Sequence, residues 1–308
     1  MATNFIKCNI LRINPEKLQS TIHFYKDICG MGYNVEQLNF KNSFYTSSDN
    51  KLHVFTFPSK ESSYKPTGVC FVLDSEHKVD YANSGYWKVG FGLRDVDAAV
   101  RHMHRHSIQV GGESQFYDVG YLTCLDDPNG HNIELLQHDF EGNFTPPADS
   151  NGLLSQPSGD SPVLGQITIR CTDAVRTQKF YENVLGMKLM CVEQPANKLP
   201  FSLYFFAYTD EQPPSVELSA VENREWLYKR PYCQIEVQHR HNLPPGHKYV
   251  TNDDNGPLSH VGFCVCVSED VMLRVKACEG VKVCVDSEGK DVCFVRDPDG
   301  YVIQVVAL

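Results

Sequence analysis

The chain consists mainly of short apolar segments with the length and composition of β-strands. The segment QITIRC (166–171) alternates polar and apolar residues, which is typical of a strand with one face against a core. Strand side chains point alternately to opposite faces, so Gln166, Thr168 and Arg170 are predicted to share one face. The next segment, DAVRTQKFYENVLG (173–186), predicts a helix.

Parts of this pattern occur twice in the chain. The segment FYKDICGM (24–31) recurs as FYENVLGM (180–187), and DPNGHNIELL (127–136) recurs as DPDGYVIQVV (297–306). In both end segments, Pro followed by Asn or Asp and then Gly supplies a tight turn into a last strand. Each half divides again into two units that run from a strand through a helix into several short strands. We therefore predict an α+β fold of four βαβββ units.

The two halves are joined by a segment of different composition. Residues 139–162 are rich in Pro, Gly, Ser and Asp, as linkers are. We predict a first domain over residues 1–140, a linker over 141–162 and a second domain over 163–308. With 308 residues, each half is long enough to bury a core of its own.

Composition and charge narrow the classes of function. The chain is 42% hydrophobic and 21% charged, and it carries a formal net charge of -10. This acidic balance argues against general binding to nucleic acid or to anionic membranes, which needs a basic surface. The sequence contains no apolar run of signal-peptide or membrane-spanning length, so we expect a cytoplasmic protein. Twelve scattered cysteines without a CxxC pair predict reduced thiols rather than a zinc knuckle.

Five segments resemble a known group of proteins. They are LGQITIRCTDAVRTQKFYENVLGMKL, FSLYFFAYTD, WLYKRPYCQIEVQH, LSHVGFCVCV and FVRDPDGYVIQV. The four-unit pattern resembles the vicinal oxygen chelate superfamily, and the second half is similar to glyoxalase I (lactoylglutathione lyase). The first half is similar only at the level of the superfamily. The resemblance implies two domains of the glyoxalase/bleomycin-resistance type.

The resemblance implies a divalent metal, Zn or Ni, held by Gln, Glu, His and Glu on four strands. The corresponding positions in this sequence are Gln166, Glu236, His260 and Gln304. At the fourth position this sequence has an amide where the family has a carboxylate. An amide oxygen can coordinate a metal but cannot accept a proton near neutral pH. Glu236 is then the expected catalytic base.

The implied reaction isomerises the hemithioacetal of glutathione and methylglyoxal to lactoylglutathione. The expected ligand is thus a small glutathione adduct, and we expect reduced activity because of Gln304. By resemblance, Arg170 and Lys282 contact the glutathione part. Phe201, Leu203 and Phe205 alternate along a predicted strand and so share one face. They either line an apolar pocket for the aldehyde substituent or pack in a core.

The first half has different residues at the ligand positions. They align with Cys8, roughly Phe71, Lys88 and Glu134. A lysine ammonium and a metal dication repel each other, so this half is predicted to be free of metal. Lys88 is predicted to form an ion pair with Glu134 across neighbouring strands, which makes Glu134 a structural counter-ion rather than a base.

The four units can pair in two ways. Crosswise pairing joins the first with the fourth and the second with the third, and it would combine Gln166 and Glu236 with Lys88 and Glu134. We expect the third unit to pair with the fourth instead, because that order keeps the four matched positions together.

Two classes of function remain open. One is a glyoxalase I-like enzyme with a single metal site in the second half. The other is a non-catalytic vicinal oxygen chelate protein that binds a small ligand or a protein partner, which the lost ligand positions favour.

Overall fold

The computed structural model describes residues 4–37, 49–59, 64–76, 79, 83–146, 162–194, 199–251, 260–286 and 289–308. Of the predicted linker over 141–162, residues 147–161 lie outside this part of the chain. The strands are β1 (Phe5–Ile13), β2 (Gly32–Gln37), β3 (Lys51–Thr56), β4 (Gly68–Leu73), β5 (Tyr86–Leu93), β6 (Ser114–Phe116), β7 (Gly120–Asp126), β8 (Asn132–Gln137), β9 (Val163–Cys171), β10 (Lys188–Glu193), β11 (Phe201–Ala207), β12 (Gln234–Arg240), β13 (His260–Val267), β14 (Lys282–Val285), β15 (Asp291–Arg296) and β16 (Val302–Ala307). The helices are α1 (Leu18–Ile22), α2 (Val96–Arg105), α3 (Ala174–Lys179), α4 (Glu222–Tyr228) and α5 (Glu269–Lys276).

These elements form the four predicted βαβββ units. The first unit contains β1 to β4, the second β5 to β8, the third β9 to β12 and the fourth β13 to β16. Helix α1 continues into a π-helical turn, His23–Ile28, and α3 continues in the same way into Phe180–Val184. The α+β prediction is confirmed, and α3 with its extension occupies the segment in which the sequence predicts a helix.

The units pair crosswise, which contradicts the expected order. One sheet has the strand order β14-β15-β16-β13-β1-β4-β3-β2, and the other has the order β10-β11-β12-β9-β5-β8-β7-β6. We call the first the outer-unit sheet, because it joins units one and four, and the second the inner-unit sheet, because it joins units two and three. The antiparallel pairs β1·β13 and β5·β9 make these two joints.

The prediction failed because matching side chains do not decide how first strands pair. The joint consists of main-chain hydrogen bonds, which any residue except proline can supply. Each predicted domain, 1–140 and 163–308, therefore contributes one unit to each sheet.

The repeated turns form as the sequence predicts. Asp127 Oδ1 accepts hydrogen bonds from the backbone N–H of Asn129 at 2.7 Å and of His131 at 2.9 Å. Asp297 repeats this arrangement before β16, with both acceptor distances at 2.9 Å. Glycine follows in each turn with a positive φ, 88° at Gly130 and 96° at Gly300, where a Cβ would be strained. These turns direct β8 and β16 back into their sheets.

The main hydrophobic core lies between the two sheets and the helices that cover them. It contains alternate residues of both sheets, such as Leu11 and Phe71 from one and Phe91 and Ile167 from the other. Tyr301, directly before β16 of the outer-unit sheet, connects the two sheets. Its hydroxyl donates a hydrogen bond to the carbonyl oxygen of Arg170 on β9 of the inner-unit sheet, at 3.0 Å. No helix within the described ranges is both long enough and apolar enough to span a lipid bilayer.

Gly85 stands where Tyr301 crosses from one sheet to the other. A Cβ at Gly85 would lie 1.9 Å from the Tyr301 hydroxyl oxygen and 2.5 Å from the ring carbon that carries it. Gly85→Ala is therefore expected to lower the free energy of unfolding by about 2–3 kcal/mol, measured by urea denaturation. Gly112→Ala is the control, since a Cβ there meets nothing within 4 Å. Equal losses in the two variants would contradict close packing at Gly85.

Candidate functional site

Four polar side chains meet on the outward face of the inner-unit sheet. Lys88 lies on β5, Glu134 on β8, Gln166 on β9 and Glu236 on β12. These strands are neighbours in the order β12-β9-β5-β8, so the cluster spans the joint between units two and three. The apolar residues that alternate with them, including Val89 and Ile167, point into the core. All four polar side chains are buried.

The amide of Gln166 links the two carboxylates. Its Nε2 donates to Glu134 Oε2 at 2.7 Å and to Glu236 Oε2 at 2.8 Å. The hydroxyl of Thr168 also donates to Glu236 Oε2, at 2.6 Å. Buried carboxylates are costly unless they are hydrogen-bonded, and these bonds meet that requirement.

Lys88 forms the predicted ion pair with Glu134, through Nζ and Oε1. Burial alone would lower the pKa of Lys88, but the negative charges of Glu134 and Glu236 outweigh burial and raise it. Burial raises the pKa of Glu236, and Glu134 adds to that rise while Lys88 opposes it. The cluster thus combines a firmly protonated ammonium with a carboxylate that has an increased affinity for a proton.

Gly90 makes room for the Gln166 side chain. A Cβ at this position of β5 would lie 2.4 Å from Gln166 Cγ and 2.8 Å from its amide carbon. The glycine therefore lets the amide cross β5 and reach Glu134 on the neighbouring strand.

A cavity of about 160 Å³ opens beside the cluster. Lys88, Glu134, Gln166 and Glu236 form its polar end. Its apolar walls are Trp87, Phe116, Val119, Leu122, Leu136, Phe201, Leu203, Phe205 and Tyr228. Drug-sized ligands occupy roughly 300–1,000 Å³, so this space suits a small compound or the small end of a larger one. Convergent charged groups at the end of an apolar cavity are the usual form of a binding or catalytic site.

The cluster does not fit a divalent metal. The ammonium of Lys88 lies against one carboxylate, and Gln166 turns its N–H groups, rather than an oxygen ligand, toward both. An ammonium and a dication repel each other strongly in a buried site. Among the described residues, no group of three or more His, Cys, Asp or Glu side chains is arranged to hold a metal ion.

The predicted metal set is not brought together. Gln166 and Glu236 share the inner-unit sheet, whereas His260 on β13 and Gln304 on β16 belong to the outer-unit sheet. The prediction that Gln166, Glu236, His260 and Gln304 converge is therefore wrong, and its cause is the crosswise pairing. The carboxylate that completes the inner-unit cluster is Glu134 of the second unit, so Gln304 is not a substitute for a missing base.

His260 packs between the sheets. Its ring stacks on Tyr86 with centroids 4.1 Å apart, and its Nε2 lies 2.9 Å from the Asn9 side-chain oxygen. Burial lowers the pKa of His260 to about 3, so the ring is neutral. These contacts give His260 a structural role.

The corresponding face of the outer-unit sheet is mostly apolar, and Gln304, which pairs in register with Cys264, is a buried amide on it. Cys8 on β1 pairs in register with Cys264 on β13, and both pack with Cys70 on β4. In the inner-unit sheet, Glu236 on β12 is paired with Thr168 on β9, two residues after Gln166. In the outer-unit sheet, the residue paired with Ile10, two residues after Cys8, is Cys70. Cys70, and not Phe71, therefore corresponds to the second ligand position. The rest of this cluster is aliphatic and aromatic: Ile10, Leu52, Val72, Val261, Val292, Phe294 and Val302.

The predicted substrate contacts lie in different places. Phe201 and Phe205 line the cavity together with Leu203. Arg170 is on the same strand as Gln166, four residues further along, with its guanidinium 5.1 Å from the Trp87 ring. Lys282 begins β14, an edge strand of the outer-unit sheet, and is exposed. Arg170 and the phenylalanines are thus near the cluster, and Lys282 is on the other sheet.

A buried network that the sequence does not indicate forms one wall of the cavity. The Tyr228 hydroxyl lies 2.7 Å from Glu193 Oε1 and 2.7 Å from the backbone carbonyl oxygen of Val119. A carbonyl only accepts, and the hydroxyl has one proton, so both bonds form when Glu193 is protonated and donates. Burial raises the pKa of Glu193 to about 8, although Arg224 opposes the rise. The network joins β10, α4 and the loop before β7, which no local sequence pattern brings together.

Glu193→Gln is expected to change how stability depends on pH. Between about pH 4.5 and 8 the folded protein keeps a proton that the unfolded chain has lost, so the wild-type free energy of unfolding falls as pH rises through that range. Glutamine has no proton to lose. Relative to wild type, we expect the variant to gain about 3–4 kcal/mol in free energy of unfolding between pH 5 and pH 8, measured by urea denaturation.

The control for this experiment is Glu217→Gln, because Glu217 is exposed. It is expected to follow the wild type at both pH values. A Glu193→Gln variant whose stability relative to wild type is the same at pH 5 and pH 8 would refute a protonated Glu193.

Comparison with known proteins gives consistent matches. Residues 7–135 match the Glyoxalase/Bleomycin resistance protein/Dioxygenase superfamily. Glyoxalase I of Saccharomyces cerevisiae is 25% identical over 245 residues, which cover 75% of this chain and 68% of that protein. A lactoylglutathione lyase of Schizosaccharomyces pombe is 22% identical, with coverage of 97% and 96%.

Solved structures agree on the fold. Glyoxalase I from Zea mays superimposes with a TM-score of 0.65 at 16% identity, over 99% of this chain and 92% of that one. Residues 7–135 are thus similar to the Glyoxalase/Bleomycin resistance protein/Dioxygenase superfamily, and the chain as a whole has the fold of glyoxalase I.

Proposed function

We propose that the protein is a glyoxalase-type isomerase that acts at the cavity beside Lys88, Glu134, Gln166 and Glu236. Its substrate is a thiol adduct of a small 2-oxoaldehyde, such as the hemithioacetal of glutathione and methylglyoxal. The observation that carries the proposal is the convergence of two buried carboxylates on one amide at the polar end of an apolar cavity. Similarity to glyoxalase I and lactoylglutathione lyases supports the same class of reaction.

The size and lining of the cavity support this class of substrate. A volume of about 160 Å³ accepts the aldehyde-derived end of the adduct and leaves the larger thiol part outside. Phe201, Leu203 and Phe205 provide the apolar surface for its alkyl substituent. Arg170, whose guanidinium lies 5.1 Å from the ring of the cavity-lining Trp87, is the group we assign to a carboxylate of the thiol part.

Glu236 is the base in this proposal. Its carboxylate removes the proton from the carbon that bears sulfur and returns it to the neighbouring carbon. The hydroxyl proton moves to the other oxygen, so the product is the thioester of a 2-hydroxy acid with no net oxidation. A carboxylate with a raised pKa is suited to both steps, because it gains and gives up a proton at similar cost. Gln166 and Thr168 hold its oxygen in place.

A second candidate is a protein that binds such compounds without converting them. The hydrogen bonds within the cluster favour it, because Lys88, Gln166 and Thr168 already donate to both carboxylates. Calorimetric binding of glutathione thioethers, together with no isomerisation above the uncatalysed rate, would select this candidate.

Glu236→Gln is expected to reduce kcat for hemithioacetal isomerisation by on the order of 100-fold or more, because an amide cannot accept the proton. The KM is expected to change little, since the amide keeps the size of the side chain and its oxygen can still accept from Gln166 and Thr168. The thioester product is followed by its ultraviolet absorbance.

The matched control is Glu217→Gln, an exposed carboxylate changed in the same way, and its rate is expected to equal that of wild type. If Glu236→Gln also retained the full rate, the assignment of Glu236 as the base would be wrong.

A further inference from the structure

Lys88 is the position at which the inner-unit cluster departs from the metal set that the resemblance implied. That set is Gln, Glu, His and Glu. Crosswise pairing supplies Gln166, Glu236 and Glu134, which are three oxygen-bearing members of the set on β9, β12 and β8 of one sheet. At the fourth place β5 carries Lys88. The difference is thus a cation in place of a metal ligand, and both carboxylates are retained.

We propose that the Lys88 ammonium is the built-in cation of this site, that it excludes a divalent metal, and that it takes the place of the metal in binding a carbonyl oxygen of the ligand. The part that concerns the ligand rests on the function proposed above. The part that concerns the metal stands on the cluster alone.

The contacts of Lys88 support exclusion of a metal. Its Nζ pairs with Glu134 Oε1, and the second oxygen of that carboxylate accepts from Gln166 Nε2 at 2.7 Å. Gln166 in turn donates to Glu236. Donor groups therefore occupy both oxygens of Glu134 and one oxygen of Glu236, which a metal would have to displace. The tryptophan ring beside the ammonium, 4.5 Å from Nζ to its centroid, adds a cation–π contact that holds the charge in place.

Charge balance supports the same conclusion. One ammonium between two carboxylates leaves the cluster with a net charge of at most -1, and with none when Glu236 is protonated. A dication added beside the ammonium would make this buried cluster net positive or displace the lysine, and both are unfavourable in a buried site.

Lys88 also faces the ligand space. It lines the cavity together with Glu236. An ammonium has three N–H donors, so Lys88 can keep its bond to Glu134 and still donate to a carbonyl oxygen in the cavity. When Glu236 removes the neighbouring C–H proton, negative charge develops on that oxygen, and the ammonium stabilises it. A single point charge needs one ligand oxygen, whereas a chelated metal uses two adjacent ones.

The test replaces the built-in cation by a metal ligand. Lys88→His creates the full implied set, and the variant is expected to bind one equivalent of Zn²⁺ or Ni²⁺ per chain, at least about 100-fold more tightly than wild type. Isothermal titration of metal-free protein measures this affinity. Thermal unfolding is the second readout, and Zn²⁺ is expected to raise the Tm of Lys88→His while leaving the Tm of wild type unchanged.

Two controls define the site. Lys282→His adds a histidine on the exposed edge of the other sheet and is expected to behave as wild type. Adding Glu236→Gln to Lys88→His is expected to weaken metal binding again. Circular dichroism checks that each variant is folded.

Three results would overturn the proposal. The first is a folded Lys88→His variant that gains no metal. The second is a wild-type protein that holds one metal equivalent and loses it on Glu236→Gln. This second result needs no folded lysine variant. The third is wild-type isomerase activity that disappears in EDTA and returns with Zn²⁺.

The proposed function can fail separately. A wild-type protein that neither isomerises hemithioacetals nor binds metal, next to a Lys88→His variant that binds metal, refutes the isomerase and retains the metal exclusion. Wild-type activity that persists in EDTA supports both proposals.

Discussion

The backbone pairing of β5 with β9 is the constraint on which the candidate site depends. Its hydrogen bonds place the second unit beside the third, so that Lys88 and Glu134 from one half of the chain meet Gln166 and Glu236 from the other. The same pairing separates Glu236 from His260, which lies on the other sheet. A joint built from main-chain groups thus decides which chemistry the side chains can perform.

The equivalent faces of the two sheets carry side chains of opposite polarity. Equivalent faces are built from equivalent strands, yet one collects an ammonium, two carboxylates and an amide, and the other collects Cys8, Cys70 and Cys264 among aliphatic residues. Buried charges need partners, and buried thiols do not. The apolar face therefore contributes packing, while the polar face, with a cavity beside it, is the one suited to chemistry. Among the residues that the structure describes, the duplicated fold thus carries a charged cluster of this kind on the inner-unit sheet and not on the outer-unit sheet.

Local features of this fold are readable from the sequence. The turns at Asp127 and Asp297 depend on residues within four positions of each other. The Lys88–Glu134 ion pair forms within one unit. Pairing between units is different, because it depends on contacts between distant strands whose backbones all have the same donors and acceptors. The sequence therefore identifies Gln166 and Glu236 as members of the site but not their partners. The expected partners were His260 and Gln304 of the fourth unit, whereas the structure places Lys88 and Glu134 of the second unit there. Glu193 was missed because its partners, Tyr228 and Val119, come from other elements.

The nested order of the units has a consequence for how the chain is made. The first unit can pair with the fourth only after nearly the whole chain has been synthesised, because Asn9 and His260, which contact each other, are 251 residues apart. The two middle units, by contrast, are consecutive in the chain apart from the connecting segment. During synthesis the polar face can close as soon as β12 leaves the ribosome, whereas β1 keeps an unpaired edge until β13 emerges. The part of the molecule that carries the candidate site is thus assembled early, and the terminal units pair last.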